Sequence, residues 1–196
     1  YLLVGDGSGT QLAMSSDDVI SLNLTTLTAD ATKILEIEDL VQANGVASIA
    51  GTVTLNASQA ATVGAISDTS NKIALNFTLS NQANISQGSA LVGNTSGTVA
   101  FHSDGISNDI AAYVNADPAS NPVTAISTAF SAIRAADNDV NVTVSGFTTP
   151  AATSAEMDAI NLIAAKTTGI ITATFTASAA NAARLNSSTW TTNLSL

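Results

Sequence analysis

Apolar and polar residues alternate with period two in short stretches along the chain, as in Ile73/Leu75/Phe77/Leu79 and Val140/Val142/Val144. Period two marks a strand with one buried face, and these stretches are rich in Val, Ile, Thr and Phe, which favour strands. They centre near Leu24, Ile49, Leu75, Val99, Val123, Val142, Ala173 and Leu194. Most steps are about 25 residues, within the range that marks repeat architectures. Helix signals fill the intervals. Thr28 is placed to cap a helix over 29 to 44, with Ile34, Ile37, Leu40 and Val41 on one face and Asn44-Gly45 as the stop. Asn56 does the same for Ala57 to Ile66. Thr153 and Glu156 form a capping-box pattern ahead of Met157, Ile160 and Ile163, with Gly169 as the expected helix end.

The chain also repeats itself. Ile73-Ala74-Leu75-Asn76-Phe77-Thr78-Leu79-Ser80 matches Ile171-Thr172-Ala173-Thr174-Phe175-Thr176-Ala177-Ser178 at a displacement of about 98 residues, or about four units. A strand, a helix and a further strand within about 25 residues is a βα unit, and successive units of this kind place their strands in parallel. The predicted fold is an α/β solenoid of short βα units, a single repetitive domain over 1–196. Asp104-Gly105 and Asp117-Pro118 mark turns in the least regular stretch, so an insertion is expected near 101–122. The alternative is an antiparallel β-sandwich, but that fold has no need of helix caps between its strands.

Composition sharpens this picture. Charged residues make up 10% of the 196, against about 25% in ordinary globular chains. Ala, Thr, Ser and Asn stand where Lys and Glu usually do. A hydrophobic content of 45% argues for a folded chain. Fifteen acids against five bases give a net charge of −10, which repels nucleic-acid phosphates and anionic membranes. No apolar run approaches the ~20 residues of a membrane helix, so membrane insertion is not expected. The absence of cysteine removes disulfides and thiolate chemistry. The chain starts at Tyr1 with no basic and apolar leader, and is read as a processed product or part of a longer chain.

The texture of Thr/Val strand, Ala-rich helix and Asp/Thr/Gly turn runs through Thr52-Val53-Thr54-Leu55-Asn56-Ala57-Ser58-Gln59-Ala60-Ala61 with Ile66-Ser67-Asp68-Thr69-Ser70. It returns in Thr167-Thr168-Gly169-Ile170-Ile171-Thr172 with Ser178-Ala179-Ala180-Asn181-Ala182-Ala183. It resembles the repeat tracts of large bacterial extracellular surface adhesins, cyanobacterial and RTX-type. The resemblance is one of composition over most of the chain, and the glycine- and aspartate-rich calcium nonapeptide of that family is missing. It implies a cell-surface location and repeat units that stack on one another. Similar textures occur in phage appendages, so a virion fibre or decoration protein is a further expectation.

Little in the sequence points to catalysis. His102 is the single histidine, with Ser103 and Asp104 beside it, but no Gly-x-Ser-x-Gly elbow or His-Glu-x-x-His pattern accompanies it. Gly5-Asp6-Gly7-Ser8-Gly9 lacks the Gly-Lys-Ser/Thr end of a phosphate loop and reads as a turn. Glu36, Glu38 and Asp39 read as a solvated helix surface. Candidate oxygen ligands for calcium are Asp137 with Asp139, which flank Asn138, and Asp104 with Asp109; Asp6 and Asp17-Asp18 are weaker ones. None follows the order of an EF-hand. Glycosylation sequons begin at Asn23, Asn56, Asn76, Asn84, Asn94, Asn141, Asn186 and Asn193. Trp190, Phe147 and Tyr113 are too scattered for a sugar platform and read as packing residues. The expected function is that of a non-enzymatic structural module that associates with itself or with neighbouring repeats. The alternative is a calcium-assisted adhesion module that binds a glycan or a host receptor.

Overall fold

The computed structural model describes residues 19–28, 48–65, 73–119, 121, 123–149, 151–176, 178–187 and 194–195. The predicted helix over 29–44, the Gly5–Gly9 turn, Trp190 and the acids at 6, 17, 18, 36, 38 and 39 lie outside them. Strand β1 (Val19–Thr28) is followed by β2 (Ser48–Leu55), helix α1 (Ala57–Gly64), β3 (Ile73–Leu79), α2 (Ile85–Gly93) and β4 (Val99–Ala100). After these come β5 (Ile106–Asp109), the single turn α3 (Ile110–Tyr113), α4 (Thr128–Ala136) and β6 (Val142–Ser145). The chain continues with α5 (Ser154–Ala164), β7 (Ile171–Ala173), α6 (Ala179–Ser187) and β8 (Leu194–Ser195).

The strands form two four-stranded sheets in plain sequence order, β1-β2-β3-β4 and β5-β6-β7-β8. Every pairing between these strands is parallel. That is the α/β arrangement expected from the alternating helices, and it sets aside the antiparallel sandwich. Registers run straight through neighbouring strands, as in Ile49↔Ile73, Val53↔Phe77 and Phe77↔Val99. In the second sheet Ile106, Val142, Ile171 and Leu194 share one row. Segment 99–109 belongs to both sheets: it ends one with β4 and, after a turn at 102–105, begins the other with β5. An isolated parallel bridge between Ala83 and Ile106 joins the two sheets.

Burial follows the alternation read from the sequence. Val53 and Leu55 of β2, Leu75, Phe77 and Leu79 of β3, Val142 and Val144 of β6, and Ile171 and Ala173 of β7 are buried. The residues between them are hydroxyls and amides. The helices bury every third residue: Ala57/Ala60/Val63, Ile85/Gly88/Leu91, Phe130/Ile133 and Met157/Ile160/Ile163. Residues three apart share a helix face, so each helix packs through a stripe of apolar residues, with Ala57, Ala60 and Gly88 the small members of it. Three helices open with the same reciprocal cap, Asn56 with Gln59, Asn84 with Gln87 and Thr153 with Glu156. Each box satisfies two backbone N–H groups that the first helical turn leaves open.

The sequence expectations need four corrections. No strand forms at Val123; it lies in irregular chain, near an antiparallel bridge of Val114 to Ile126. Strand β5, with a single large apolar residue, lies inside 101–122 together with α3. Helix α5 ends at Ala164, and Gly169 serves the next turn. The step from Val99 to Val142 is far longer than about 25 residues, because α3 and the segment after it are interposed before α4. Tyr113 of α3 anchors that excursion: its ring meets Phe130 edge-on at 5.3 Å and its hydroxyl donates to the Thr143 carbonyl at 2.9 Å. Burial raises the phenol above its ordinary range.

Candidate functional site

Two turns that lead into strands are built alike. Thr95 Oγ1 donates to the Leu75 carbonyl and accepts from the Gly97 N–H at 2.9 Å. Thr167 Oγ1 donates to the Val140 carbonyl and accepts from the Gly169 N–H at 3.0 Å. One residue further on, the Thr98 N–H donates to Asn76 Oδ1 at 2.8 Å, and the Ile170 N–H donates to Asn141 Oδ1 at 2.7 Å. Glycine is required by close approach: a Cβ on Gly97 would stand 2.3 Å from the Leu75 oxygen, and one on Gly169 2.2 Å from the Val140 oxygen. A third turn uses aspartate in the same role, with Asp137 Oδ1 accepting from the Asp139 N–H at 3.3 Å. Asn81, which follows β3, and Asn108 of β5 accept from the N–H groups of Ala57 and Ile85 at the helix starts, and Asn181 of α6 accepts from the Ala152 N–H just ahead of α5.

This stacking opens a polar groove of about 330 Å3 where the two sheets meet. Its lining comes from four strand-bearing segments: Gln82, then Ser103 and Asp104, then Asn141, Val142 and Thr143, and finally Ile170 and Thr172. The 102–105 turn forms one wall. Gln82 Nε2 donates to the Asp104 carbonyl and Asn141 Nδ2 to the Ser103 carbonyl, both at 2.7 Å. Within the turn the Gly105 N–H reaches the His102 carbonyl at 2.7 Å. Gly105 has φ +65, and a Cβ there would lie 1.8 Å from the Asn141 oxygen. The turn is thus held by its backbone, with the Ser103 and Asp104 side chains left at the surface. Ile170, 55% exposed, stands at the other wall and is the exposed large hydrophobic residue among those described.

His102 and Asp104, singled out in the sequence, do meet: His102 Nδ1 lies 3.3 Å from Asp104 Oδ2. The same Nδ1 accepts the Asp104 N–H at 3.2 Å, which places the ring proton of a neutral imidazole on Nε2. Among the described residues no serine hydroxyl bonds to His102, so the neighbours Ser103 and Asp104 do not form the relay of a triad with it.

The four calcium candidates fall at three places, with Asp137 and Asp139 together in one turn and Asp104 and Asp109 apart from it and from each other. Asp109 Oδ1 accepts from Ser145 Oγ at 2.8 Å across β5 and β6, while Asp104 sits in the groove wall beside His102. Asp137 is half-buried in its turn, and burial first, then the neighbouring Asp139 carboxylate, raises its pKa. Among the described residues no three Asp, Glu or His side chains converge on one point. Among the described residues the deepest carboxylate is Glu156, 1% exposed, which accepts from the N–H and hydroxyl of Thr148 and from the Thr153 N–H. Those donors stand where a metal would compete for the same oxygens.

In two sequons the amide nitrogen that would carry a glycan already donates a hydrogen bond. Asn94 Nδ2 donates to the Val63 and Gly64 carbonyls, and Asn141 Nδ2 to Ser103. Gln82, Thr143, Ile170 and Thr172 went unrecognised as site residues because they meet only through lateral stacking. The local sequence carries a partial signal in Asn141 and Thr143, which repeat the Asn76/Thr78 spacing of β3.

No helix among the described residues is long and apolar enough to cross a membrane. Comparison with protein-family models, with curated proteins and with solved structures finds no match.

Proposed function

We propose that this chain is a structural module of an extracellular repeat protein. In this reading it is a solenoid of stacked strand–helix units of about 25 residues that extends a surface fibre, adhesin stalk or surface layer. The observation that carries it is the lateral order of the strands: each sheet is parallel and sequential, so β1 and β8 have a strand partner on one side alone among the described residues. An edge of this kind offers unpaired N–H and C=O groups to a further unit, whether of the same chain or of a neighbouring copy. The recurrent Thr-x-Gly turns, capping boxes and cross-strand Asn bonds support a unit that can be added repeatedly. An extracellular setting accords with the sequence texture.

Size-exclusion chromatography with light scattering, followed by negative-stain electron microscopy over a concentration series, tests the association. Filaments or sheets that lengthen with concentration are expected. A monomer that holds its size at every concentration would overturn end-to-end association of separate chains.

A further inference from the structure

We propose that the groove between the 102–105 turn and the outer faces of β6 and β7 binds a neutral saccharide. The floor presents the Thr143 and Thr172 hydroxyls, one wall the exposed carboxylate of Asp104, and the other the apolar side chain of Ile170. Its volume of about 330 Å3 lies at the small end of ligand clefts, which suits one or two sugar rings.

The lining selects the ligand by its chemistry. No lysine or arginine lines the groove, and Asp104 repels an anion, which sets phosphates and acidic sugars aside. A lone carboxylate among hydroxyls matches a ligand with many hydroxyl donors, because an ionised acceptor makes the stronger, charge-assisted hydrogen bond. Thr143 Oγ1 already accepts from Gln82 Nε2 at 3.2 Å, so its own proton is directed elsewhere and is available to a ligand oxygen. Ile170 gives the C–H face of a ring an apolar surface, and an exposed side chain of that size has a reason to be there if it is covered on binding. The walls are set in advance: the turn is fixed through Gln82 and Asn141, and the threonines stand on paired strands. Preorganisation of this kind lowers the entropic cost of capturing a small, flexible polyol.

This site acts within one chain and does not depend on self-association. Saturation-transfer NMR on the 196-residue chain tests it, with glucose, galactose, mannose and N-acetylglucosamine and their disaccharides offered one at a time. At least one probe is expected to receive transfer. Asp104→Asn, which weakens the charge-assisted bond, is expected to reduce affinity about tenfold. Thr172→Val keeps the shape of the strand residue and is expected to weaken binding as well. Thr78→Val, on the outward face of β3 away from the groove, serves as the control and is expected to bind like the parent. Circular dichroism of each variant establishes that the fold is kept. Transfer to none of the probes, or transfer that survives both groove substitutions unchanged, overturns the proposal.

Discussion

Asn141 ties neighbouring segments together through one side chain. Its Oδ1 accepts from Ile170 on one side and its Nδ2 donates to Ser103 on the other, so three segments distant in sequence meet at one amide. Asn141→Ala is expected to cost about 1–3 kcal/mol, because it leaves partners unpaired, and urea denaturation read by circular dichroism would measure it. Asp137 works in the opposite direction. Its pKa is raised on folding, by burial and then by Asp139, so its carboxyl favours the folded state while protonated and loses that contribution as pH rises through the raised value. At neutral pH the charge is therefore a cost. Asp137→Asn keeps an oxygen to accept the Asp139 N–H and is expected to raise the thermal midpoint at pH 7. The gain should vanish in acid, below the ordinary carboxylate pKa of about 3.9. An equal gain at both pH values would show that the charge is not its origin.

At the scale of elements, glycines separate the junctions that cannot change from those that can. Gly105 combines a positive φ with a backbone oxygen in the place of a Cβ, so Gly105→Ala must displace the turn that starts β5. A loss of more than about 3 kcal/mol is expected, read as a fall in the urea midpoint. Gly93, the last residue of α2, has open space around it, and Gly93→Ala should stabilise by about 0.5–1 kcal/mol through helix propensity and the unfolded chain. The same contrast explains which elements were legible in the sequence. Strands β2, β3, β6 and β7 announce themselves by alternation, and α1 and α5 by their caps. Strand β5 does not, because Ile-Ser-Asn-Asp carries one large apolar residue and owes its pairing to neighbours on both sides. Val123 has the right local pattern but lacks a partner strand. Gly169 resembles a helix stop, yet its role is to let the next turn lie on the Val140 carbonyl, a contact invisible in local sequence.

At the scale of the whole molecule, hydroxyl and amide side chains that replace ordinary surface charge also bond neighbouring strand-bearing segments to each other. Much of this could be anticipated from composition, but the groove could not: its residues stand far apart in the chain and come together only when the strands stack. The acids tell the same story. Read along the sequence, Asp104 with Asp109 and Asp137 with Asp139 look like oxygen clusters for calcium. Folded, Asp109 is engaged by Ser145, Asp137 by the Asp139 N–H, and Asp104 lies beside His102. Calcium needs six to eight oxygens at short range, and a cation that binds the folded state alone stabilises it by RT ln(1 + [L]/Kd). The thermal midpoint is therefore expected to be the same in millimolar calcium and in chelator, apart from a small screening effect that sodium chloride of equal ionic strength reproduces. Differential scanning calorimetry makes the comparison directly. A midpoint several degrees higher in calcium alone, and lost when Asp137 and Asp139 are both changed to Asn, would instead place a metal at that turn and make the ion part of how the units are held.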